Sequence, residues 1–396
     1  MLAAFPPAST SRMPLSYHAS AGMAPLIAER IESDLPFQEL EREWNNLLQN
    51  SDSDCLFLTW EWLSTWWKHL AEDRRLAVFA LRCADELVAL APCCIRPADW
   101  KSGRPLDVME FLGSGYVGSD YLDFIVRAGF EEHVQSTLVS RLADQRVVHK
   151  WTQLRHHARA ESVAAGMNQA GWRVDETITN LCPYIPLEGS TWESYLGSLG
   201  SEHRYNFHRK WKRLNRDFSV RFEAVRTAEE CREAIPELIR QHMLRWSERG
   251  GSDAFHLPAL TAFHREFSQI ALQRGWLRLY ALLLNDKPAA FLYGFLYGRK
   301  FYFYQSSFDA AYAKHSPGLI SMGLAIRRAI EEGAEEYDLL HGDESYKSHW
   351  SLDRRDLGRL ELYPPDAMGR ICRSAVGLAR ASRSFANRVI PGRSPE

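Results

Sequence analysis

The residues best suited to chemistry form a polar turn that directly follows an apolar run, Tyr337–Leu340, which we predict to be a strand. His341 has the side chain whose ordinary pKa suits a general base near neutral pH. Tyr346 could protonate a leaving group, and Lys347 could stabilise developing negative charge. Polar groups that follow a buried strand often project into an active site, although a solvated polar loop is the alternative. Two carboxylates of the same turn are candidates for substrate contacts, Asp343 and Glu344.

A second candidate is the glycine-rich segment Gly113–Phe124 in the amino-terminal half of the chain. Its glycines predict a tight, irregular path. Asp120 could orient or deprotonate an attacking group, and Tyr121 could contact the same molecule. An ordinary glycine-rich turn is the alternative interpretation.

A predicted helix begins at Ser316, after the aromatic strand Phe301–Gln305. Serine is a favoured N-cap, and Pro317 suits the first helical position. Gly318 would let a ligand approach the backbone closely. The free N–H groups of such a helix start suit a phosphate or pyrophosphate, although a simple helix cap is the alternative. The candidate residues for this site are Gln305, Lys314, His315, Ser316, Gly318, Leu319 and Ile320.

Positive charge is concentrated in two segments. The predicted helix His203–Arg216 carries Arg204, Arg209 and Lys212, which could bind an anionic acceptor or simply be solvated. The tail after residue 366 is rich in arginine with interspersed apolar residues, so it could contact an anionic membrane surface or fray in solvent.

The elements that must position these residues include an internal sequence repeat. Leu76–Arg82 and Leu277–Leu284 are predicted strands about 200 residues apart, and each leads into a polar two-residue turn and a second apolar strand. We infer two related halves. Strands that alternate with helices indicate an α/β (α+β) fold, with a mixed central sheet flanked by helices in each half. The predicted division is a disordered leader (1–24), an amino-terminal half that walls the acceptor cleft (25–180), a catalytic half (181–365) and a basic tail (366–396).

Composition limits the function classes. The chain has 396 residues, a net charge of −2 and seven scattered cysteines. The charge gives no global attraction to nucleic acid or membrane, and the cysteine spacing does not match a zinc site. No apolar run has the length of a membrane span. We therefore expect a cytoplasmic protein with reduced thiols, without a metal cofactor.

Three motifs carry a resemblance to a known family. They are the aromatic segment Phe57–Leu63 followed by Trp66 and Trp67, the basic helix Ser201–Leu214, and Tyr337–Lys347 followed by Trp350. In their order and spacing the chain resembles the GNAT acyltransferase superfamily. In detail it is similar to the CelD/BioF-like acetyltransferases, which are relatives of the FemAB peptidyltransferases.

The resemblance implies a tandem GNAT-like architecture with one donor site, in the carboxyl-terminal half, for acetyl-CoA or another acyl-CoA. It implies direct acyl transfer to the amine of a small or sugar-linked acceptor, with Tyr346 protonating the leaving thiolate and Lys347 contacting substrate. Envelope or exopolysaccharide biosynthesis would be the context. Two alternatives stay open: a FemAB-like peptidyltransferase that uses aminoacyl-tRNA, the one case in which nucleic acid is a partner, and a non-catalytic binding protein.

Overall fold

The computed structural model describes residues 24–99, 104–247, 255–342 and 344–389. The predicted leader, apart from Ala24, lies outside these ranges, as do Asp343 and residues 390–396. No helix in the described ranges is long and apolar enough to cross a membrane.

Strands form the centre of the molecule. They are β1 Leu26–Ile31, β2 Arg75–Leu76, β3 Val78–Cys83, β4 Glu86–Ala91, β5 Cys93–Arg96, β6 Val108–Phe111, β7 Ile125–Val126, β8 Val148–Arg155, β9 Arg173–Pro186, β10 Val220–Ala224, β11 Leu277–Leu284, β12 Lys287–Tyr297, β13 Lys300–Phe308, β14 Glu336–Asp338 and β15 Asp353–Tyr363.

Helices cover the sheets. They are α1 Asp34–Glu39, α2 Glu41–Gln49, α3 Trp60–Leu70, α4 Glu131–Ala143, α5 Arg159–Gln169, α6 Trp192–Ser198, α7 Ser201–Asp217, α8 Ala228–Ser247, α9 Pro258–Gln273, α10 Pro317–Glu331 and α11 Ala367–Val389.

Each half has one parallel strand pair in its sheet. In the carboxyl-terminal half the strand order is β10-β11-β12-β13-β14-β9, and β13 and β14 are parallel. In the amino-terminal half β1, β3, β4 and β7 form a separate four-stranded sheet. In the amino-terminal half β6 and β8 form the matching parallel pair, followed by β15. A helix connects each parallel pair, α4 in one half and α10 in the other. This repetition confirms the predicted mixed α+β fold with two related halves.

The two hairpins of the internal sequence repeat match in detail. The turn of β3–β4 places Ala84 and Asp85 at φ 46° and 68°, and the turn of β11–β12 places Asn285 and Asp286 at 49° and 64°. Positive φ at both central residues is the turn geometry that fits the twist of a two-residue hairpin. Each hairpin also has a register shift just before the last two residues of its first strand. A shared irregularity at the same position indicates a common origin for the halves.

The halves are joined by an exchange of strands. β9 pairs with β14 of the carboxyl-terminal half, and β15 pairs with β8 of the amino-terminal half. β9 and β15 also pair with each other along the middle of the large sheet. Pro183 and Pro186 both lie within β9. The predicted division at residue 180 therefore falls inside one strand.

The tryptophan-rich helix α3 lies in the core. Trp62 is fully buried and makes edge contacts with Phe263 and Phe267 of α9, at centroid distances of 4.9 and 4.7 Å. Its indole N–H donates to the Ser119 hydroxyl. The aromatic segment thus packs an amino-terminal helix against a carboxyl-terminal one and also supports the loop that carries Asp120.

Candidate functional site

A central cavity of about 810 Å³ lies between the two halves. The parallel pairing of β13 and β14 stops at Tyr302 and Asp338. Beyond that point Phe303, Tyr304 and Gln305 on one side and residues 339–341 on the other line the cavity. The amino-terminal half contributes its glycine-rich loop and the strands β6 and β8. Groups from both halves can therefore meet a molecule bound here.

The structure brings His341 and Asp120 into direct contact across the halves. Asp120 Oδ1 lies 2.7 Å from His341 Nδ1, and Asp120 Oδ2 accepts the His341 backbone N–H at 2.8 Å. Asp120 is fully buried, whereas the His341 side chain is 37% exposed. The negative charge of Asp120 raises the pKa of His341 above its ordinary value, against the opposing effect of burial. Because Nδ1 is held by the carboxylate, Nε2 is the nitrogen left to accept a proton.

Gln153 and Asn180 support this pair and were missed by the sequence analysis. Gln153 donates to Asp120 Oδ1 at 2.8 Å, and Asn180 donates to Gln153 Oε1 at 2.8 Å. Gln153 has a φ of 60°, in the left-handed region that few non-glycine residues adopt. Both are single polar residues within strands, so no motif or spacing in the sequence singled them out.

The glycine-rich loop positions Asp120 through Gly118. Gly118 has a φ of 68°, and a Cβ there would lie 3.6 Å from His341 Cε1. A side chain at this position would be strained by the positive φ, and its Cβ would lie in ordinary contact with the imidazole ring. The loop thus carries a buried carboxylate, Asp120, to the edge of the cavity.

Lys347 is buried, with 5% of its side chain exposed. Its ammonium donates to the carbonyl oxygens of Leu340 and His341 at 3.3 and 2.7 Å and lies 2.9 Å from Glu344 Oε2. These three contacts match the three protons of the ammonium group. The arrangement favours a positioning role for Lys347, which holds the turn that carries His341, rather than the predicted contact with substrate.

Gly342 is required by the same turn. It has a φ of 123°, and a Cβ would lie 2.3 Å from Glu344 Oε2 and 2.8 Å from Lys347 Nζ. Tyr346 and Glu344 line the central cavity. Withdrawal from water and the nearby Glu344 raise the pKa of the Tyr346 hydroxyl, so it keeps its proton near neutral pH.

Tyr121 does not line the central cavity, and its predicted acceptor contact stays a prediction. Its buried hydroxyl donates to Asp338 Oδ2 at 2.7 Å. The other oxygen of Asp338 accepts the Leu340 N–H at 2.8 Å. Burial raises the pKa of Asp338 to about 6, and the Tyr121 bond opposes that shift. Tyr121 and Asp338 thus shape the end of β14 just before His341.

The predicted anion site at the start of α10 is present as a helix N-terminus, with two corrections. Ser316 has a φ of 56°, and its side chain makes no hydrogen bond to the backbone of the first turn. The serine side chain therefore does not cap the helix as expected. Ile320 is fully buried, and its N–H donates to the Ser316 carbonyl at 3.2 Å. The amides of Gly318 and Leu319 remain in the first turn as candidate donors. A Cβ at Gly318 would meet only Phe308, at 3.5 Å, so the position is open.

Of the remaining donor-site candidates, Gln305 lines the central cavity, whereas Lys314 and His315 lie in the short 3-10 helix Ala310–His315 before α10. Lys314 is exposed, and the His315 ring packs on Phe218 at a centroid distance of 4.8 Å. These residues lie at the amino-terminal end of α10, separate from the cavity lining.

Comparison with known proteins identifies the carboxyl-terminal half. Residues 201–348 match the family model described as an acetyltransferase (GNAT) domain. The matched segment makes up 148 of the 396 residues. A match to an acetyltransferase domain indicates that the chain is an acyltransferase. His341, Tyr346, Lys347 and Gly318 lie within the GNAT domain, whereas Asp120 lies outside it.

Solved structures share the fold over most of the chain. FemX is 11% identical, with a TM-score of 0.58, over 84% of this chain and 96% of that one. A conserved protein of unknown function from Bacteroides thetaiotaomicron is 10% identical, with a TM-score of 0.52, over 85% and 99%. The C-terminal domain of a putative lysylphosphatidylglycerol synthetase from Agrobacterium fabrum is 9% identical, with a TM-score of 0.51, over 87% and 96%. Such identities establish the fold alone. No curated protein matches the chain in sequence.

No residue of the basic helix α7 lines the central cavity. The predicted acceptor contacts of Arg204, Arg209 and Lys212 therefore lie outside it and stay a prediction. Phe207 packs on α10 at Gly323, where a Cβ would lie 2.3 Å from the Phe207 ring. Phe218, at the opposite end of α7, packs on His315. The two helices therefore run antiparallel, and the carboxyl-terminal end of α7 lies beside the amino-terminal end of α10.

Two other features lie away from the central cavity. Among the described residues, one His and carboxylate group is close enough to hold a metal ion, His156, His157 and Glu161; it is not part of the cavity lining. The tail forms α11, and Arg373 and Arg380 pair with Asp175 and Glu361 of the sheet. The first part of the tail is thus a helix docked on the protein.

Proposed function

We propose that the chain is an acyl-CoA-dependent N-acyltransferase, most simply one that uses acetyl-CoA and transfers the acyl group directly to an amine. The observation that carries the proposal is the His341–Asp120 pair at a cavity between the GNAT domain and the amino-terminal half. A histidine with a raised pKa that is oriented by a buried carboxylate is suited to general-base work near neutral pH.

The donor site fits a CoA thioester in three respects. The strands β13 and β14 separate beside the cavity, the first-turn amides of α10 can receive a pyrophosphate, and Gly318 leaves space for it. Gln305 would lie nearer the reacting end, and the exposed Lys314 would add positive charge near the phosphates. When bound, the acyl-CoA supplies a thioester carbonyl as the electrophile.

The residues of this chain have distinct tasks in the proposal. His341 Nε2 accepts the proton of the attacking amine, while Asp120 fixes the tautomer and orientation of the ring. Tyr346 keeps its proton and can donate it to a leaving thiolate. Lys347 and Gly342 hold the turn so that these groups face one cavity. No covalent enzyme intermediate is required.

Product formation tests the proposal. The protein would be incubated with acetyl-CoA and a panel of amino sugars, both free and nucleotide-linked, and products would be identified by mass spectrometry. We expect an N-acetylated product that is lost in His341→Gln. Product formation that is unchanged in His341→Gln would refute the assigned base, and the absence of product with every amine would count against the acceptor class.

The fold shared with FemX supports a second candidate, an aminoacyl-tRNA-dependent peptidyltransferase. The specific observation in its favour is the exposed cationic surface of α7 outside the cavity, which suits a nucleic-acid backbone. This candidate predicts binding of tRNA that weakens steeply with salt and no binding of acetyl-CoA. The primary proposal predicts the reverse.

The cellular context is part of the proposal and rests on the resemblance to CelD/BioF-like acetyltransferases. The acceptor would be a sugar-linked amine of exopolysaccharide or envelope biosynthesis, and the reaction would take place in the cytoplasm. Docking of α11 leaves Ile371 and Leu378 exposed, which supports a peripheral contact with an anionic membrane.

A further inference from the structure

The face of the amino-terminal half-sheet that meets the central cavity is charged. Arg96, Glu110, Lys150 and Arg359 lie on the neighbouring strands β5, β6, β8 and β15, and all four line the cavity. Alternation along β8 places the fully buried Trp151 on the opposite, apolar face. A polar sheet face inside a protein costs free energy unless its groups find partners.

Positive charge exceeds negative charge in this wall. The described residues that line the cavity include five cations, Arg74, Arg96, Lys150, Lys347 and Arg359, and three carboxylates, Glu72, Glu110 and Glu344. Because Lys347 pairs with Glu344 in the GNAT domain, the excess of two charges lies in the amino-terminal wall.

The available carboxylates are already shared. Glu110 serves both Arg74, at 2.8 Å, and Arg96, at 3.1 Å. Glu361, behind the wall, lies 3.3 Å from Arg359 and also accepts from Arg380 and from the Tyr363 hydroxyl. The surrounding protein therefore does not neutralise these cations one for one.

Among the cations of the wall, Lys150 has the fewest polar contacts. It makes neither an ion pair nor a hydrogen bond to any other residue that the structure describes. Burial lowers its pKa, although Glu361 and Glu110 oppose that effect. The Nε atom of Arg96 is also buried and makes no hydrogen bond within the described chain. The Nε atom of Arg359 lies 3.3 Å from Glu361, a carboxylate that it shares with Arg380. The cationic groups of the wall can therefore accept a further anion.

We propose that this wall is an anion subsite in which Lys150, Arg96 and Arg359 bind an oxyanion of the acceptor, either a carboxylate or a phosphate. That the anion belongs to the acceptor rests on the proposed function, since the donor phosphates are assigned to α10. Thr152 and Thr179 line the same region and can donate hydroxyl hydrogen bonds. The acceptor is then an amine that also carries an acid group, with its amine at His341 and its acid at Lys150.

Calorimetric titrations with inorganic phosphate and, separately, with acetate test the subsite and distinguish its two chemistries. The proteins compared are the unchanged chain, Lys150→Gln and the matched control Lys287→Gln, which alters an exposed lysine on β12. We expect saturable binding of at least one anion to the unchanged chain and the control. Binding should weaken roughly tenfold or more in Lys150→Gln, the loss of one charge-assisted contact. Arg359→Gln, measured in parallel, should show a similar loss and covers the case that Lys150→Gln does not fold.

Equal anion binding by the folded Lys150 and Arg359 variants, or no saturable binding of either anion to the unchanged chain, would overturn the subsite. Titration of the same proteins with acetyl-CoA separates this result from the proposed function. If acetyl-CoA does not bind but phosphate binding depends on Lys150, the anion subsite is supported and the donor proposal fails alone.

Discussion

The capacity of the site for proton transfer depends on two residues that are 221 positions apart in the chain, His341 and Asp120. Their contact explains why the amino-terminal half is part of the active site although the matched GNAT domain begins at residue 201. A carboxylate that is fully buried and held by Gln153 cannot turn away, so the imidazole has one orientation.

Replacement of His341 tests its role as the general base. We expect His341→Gln to lower the rate of acyl transfer by about 10²–10⁴-fold, the usual contribution of a general base. Steady-state kinetics with saturating acetyl-CoA would measure it. The affinity for acetyl-CoA should stay within about twofold, because His341 is not in the first turn of α10. A rate near that of the unchanged protein would remove His341 from the mechanism.

The pH profile tests the role of Asp120. The charge of Asp120 raises the pKa of His341, and only the deprotonated ring can act as a base. Asp120→Asn should therefore move the acid limb of the kcat/KM profile to lower pH, and it should also lower the plateau because the ring is no longer held in one tautomer. An acid limb that does not move would show that another group titrates.

The sequence predicted the chemical groups better than their contacts. His341, Tyr346 and Asp120 were found because their residue types and neighbouring strands are distinctive. Lys347 and Tyr121 were predicted to contact substrate, and the sequence did not indicate that they also hold the turn and the strand end. Contacts of this kind depend on packing between distant segments, and residue type and spacing do not encode them.

At the scale of elements, the antiparallel contact of α7 and α10 positions the start of α10. Gly323 is the point of closest approach, since a Cβ there would lie 2.3 Å from Phe207 and 2.9 Å from Trp350. We expect Gly323→Ala to destabilise the protein by about 1–3 kcal/mol, the usual cost of overpacking a core. Urea unfolding would measure the change.

Gly377→Ala is the matched control for that measurement. Gly377 lies within α11, and a Cβ there would meet nothing within 4 Å. Alanine should therefore be neutral or stabilise the protein by up to about 1 kcal/mol, because it favours the helix. Equal effects of the two substitutions would show that the α7–α10 contact is not close.

The sequence predicted most elements but missed the strand that unites the halves. β9 was not recognised because it contains Pro183 and Pro186, and proline is rare in strands. Both are tolerated since proline lacks only the donor: the Pro183 carbonyl still accepts the Leu339 N–H at 2.9 Å. The repeated hairpin, in contrast, could be predicted from the sequence because its turn residues and apolar strands recur at a fixed offset.

At the scale of the whole molecule, buried histidines link stability to pH. Burial lowers the pKa of His149 to about 3. A histidine whose pKa is lowered by folding stabilises the protein fully above its unfolded value near 6.5, and this contribution is lost as the pH falls towards 3. At pH 5 the loss amounts to about 2 kcal/mol for this one group.

His149→Gln should therefore flatten the dependence of unfolding free energy on pH between about 7 and 5, as measured by urea unfolding at each pH. His156→Gln is the control, because the His156 side chain is 77% exposed. A pH dependence that is the same in both variants would contradict the assignment of a neutral, buried His149.

The measurement that tests the central claim most directly is calorimetric titration of the protein with acetyl-CoA, beside free CoA and a longer acyl-CoA. The account predicts saturable binding that weakens less in Gly318→Ala than in Gly318→Glu, since the alanine Cβ would meet only Phe308 of the protein, at an ordinary contact distance. It predicts at least about a tenfold loss in Gly318→Glu, which places a negative charge at the helix start. No binding of any CoA species, or equal binding by both variants, would contradict a donor site at α10.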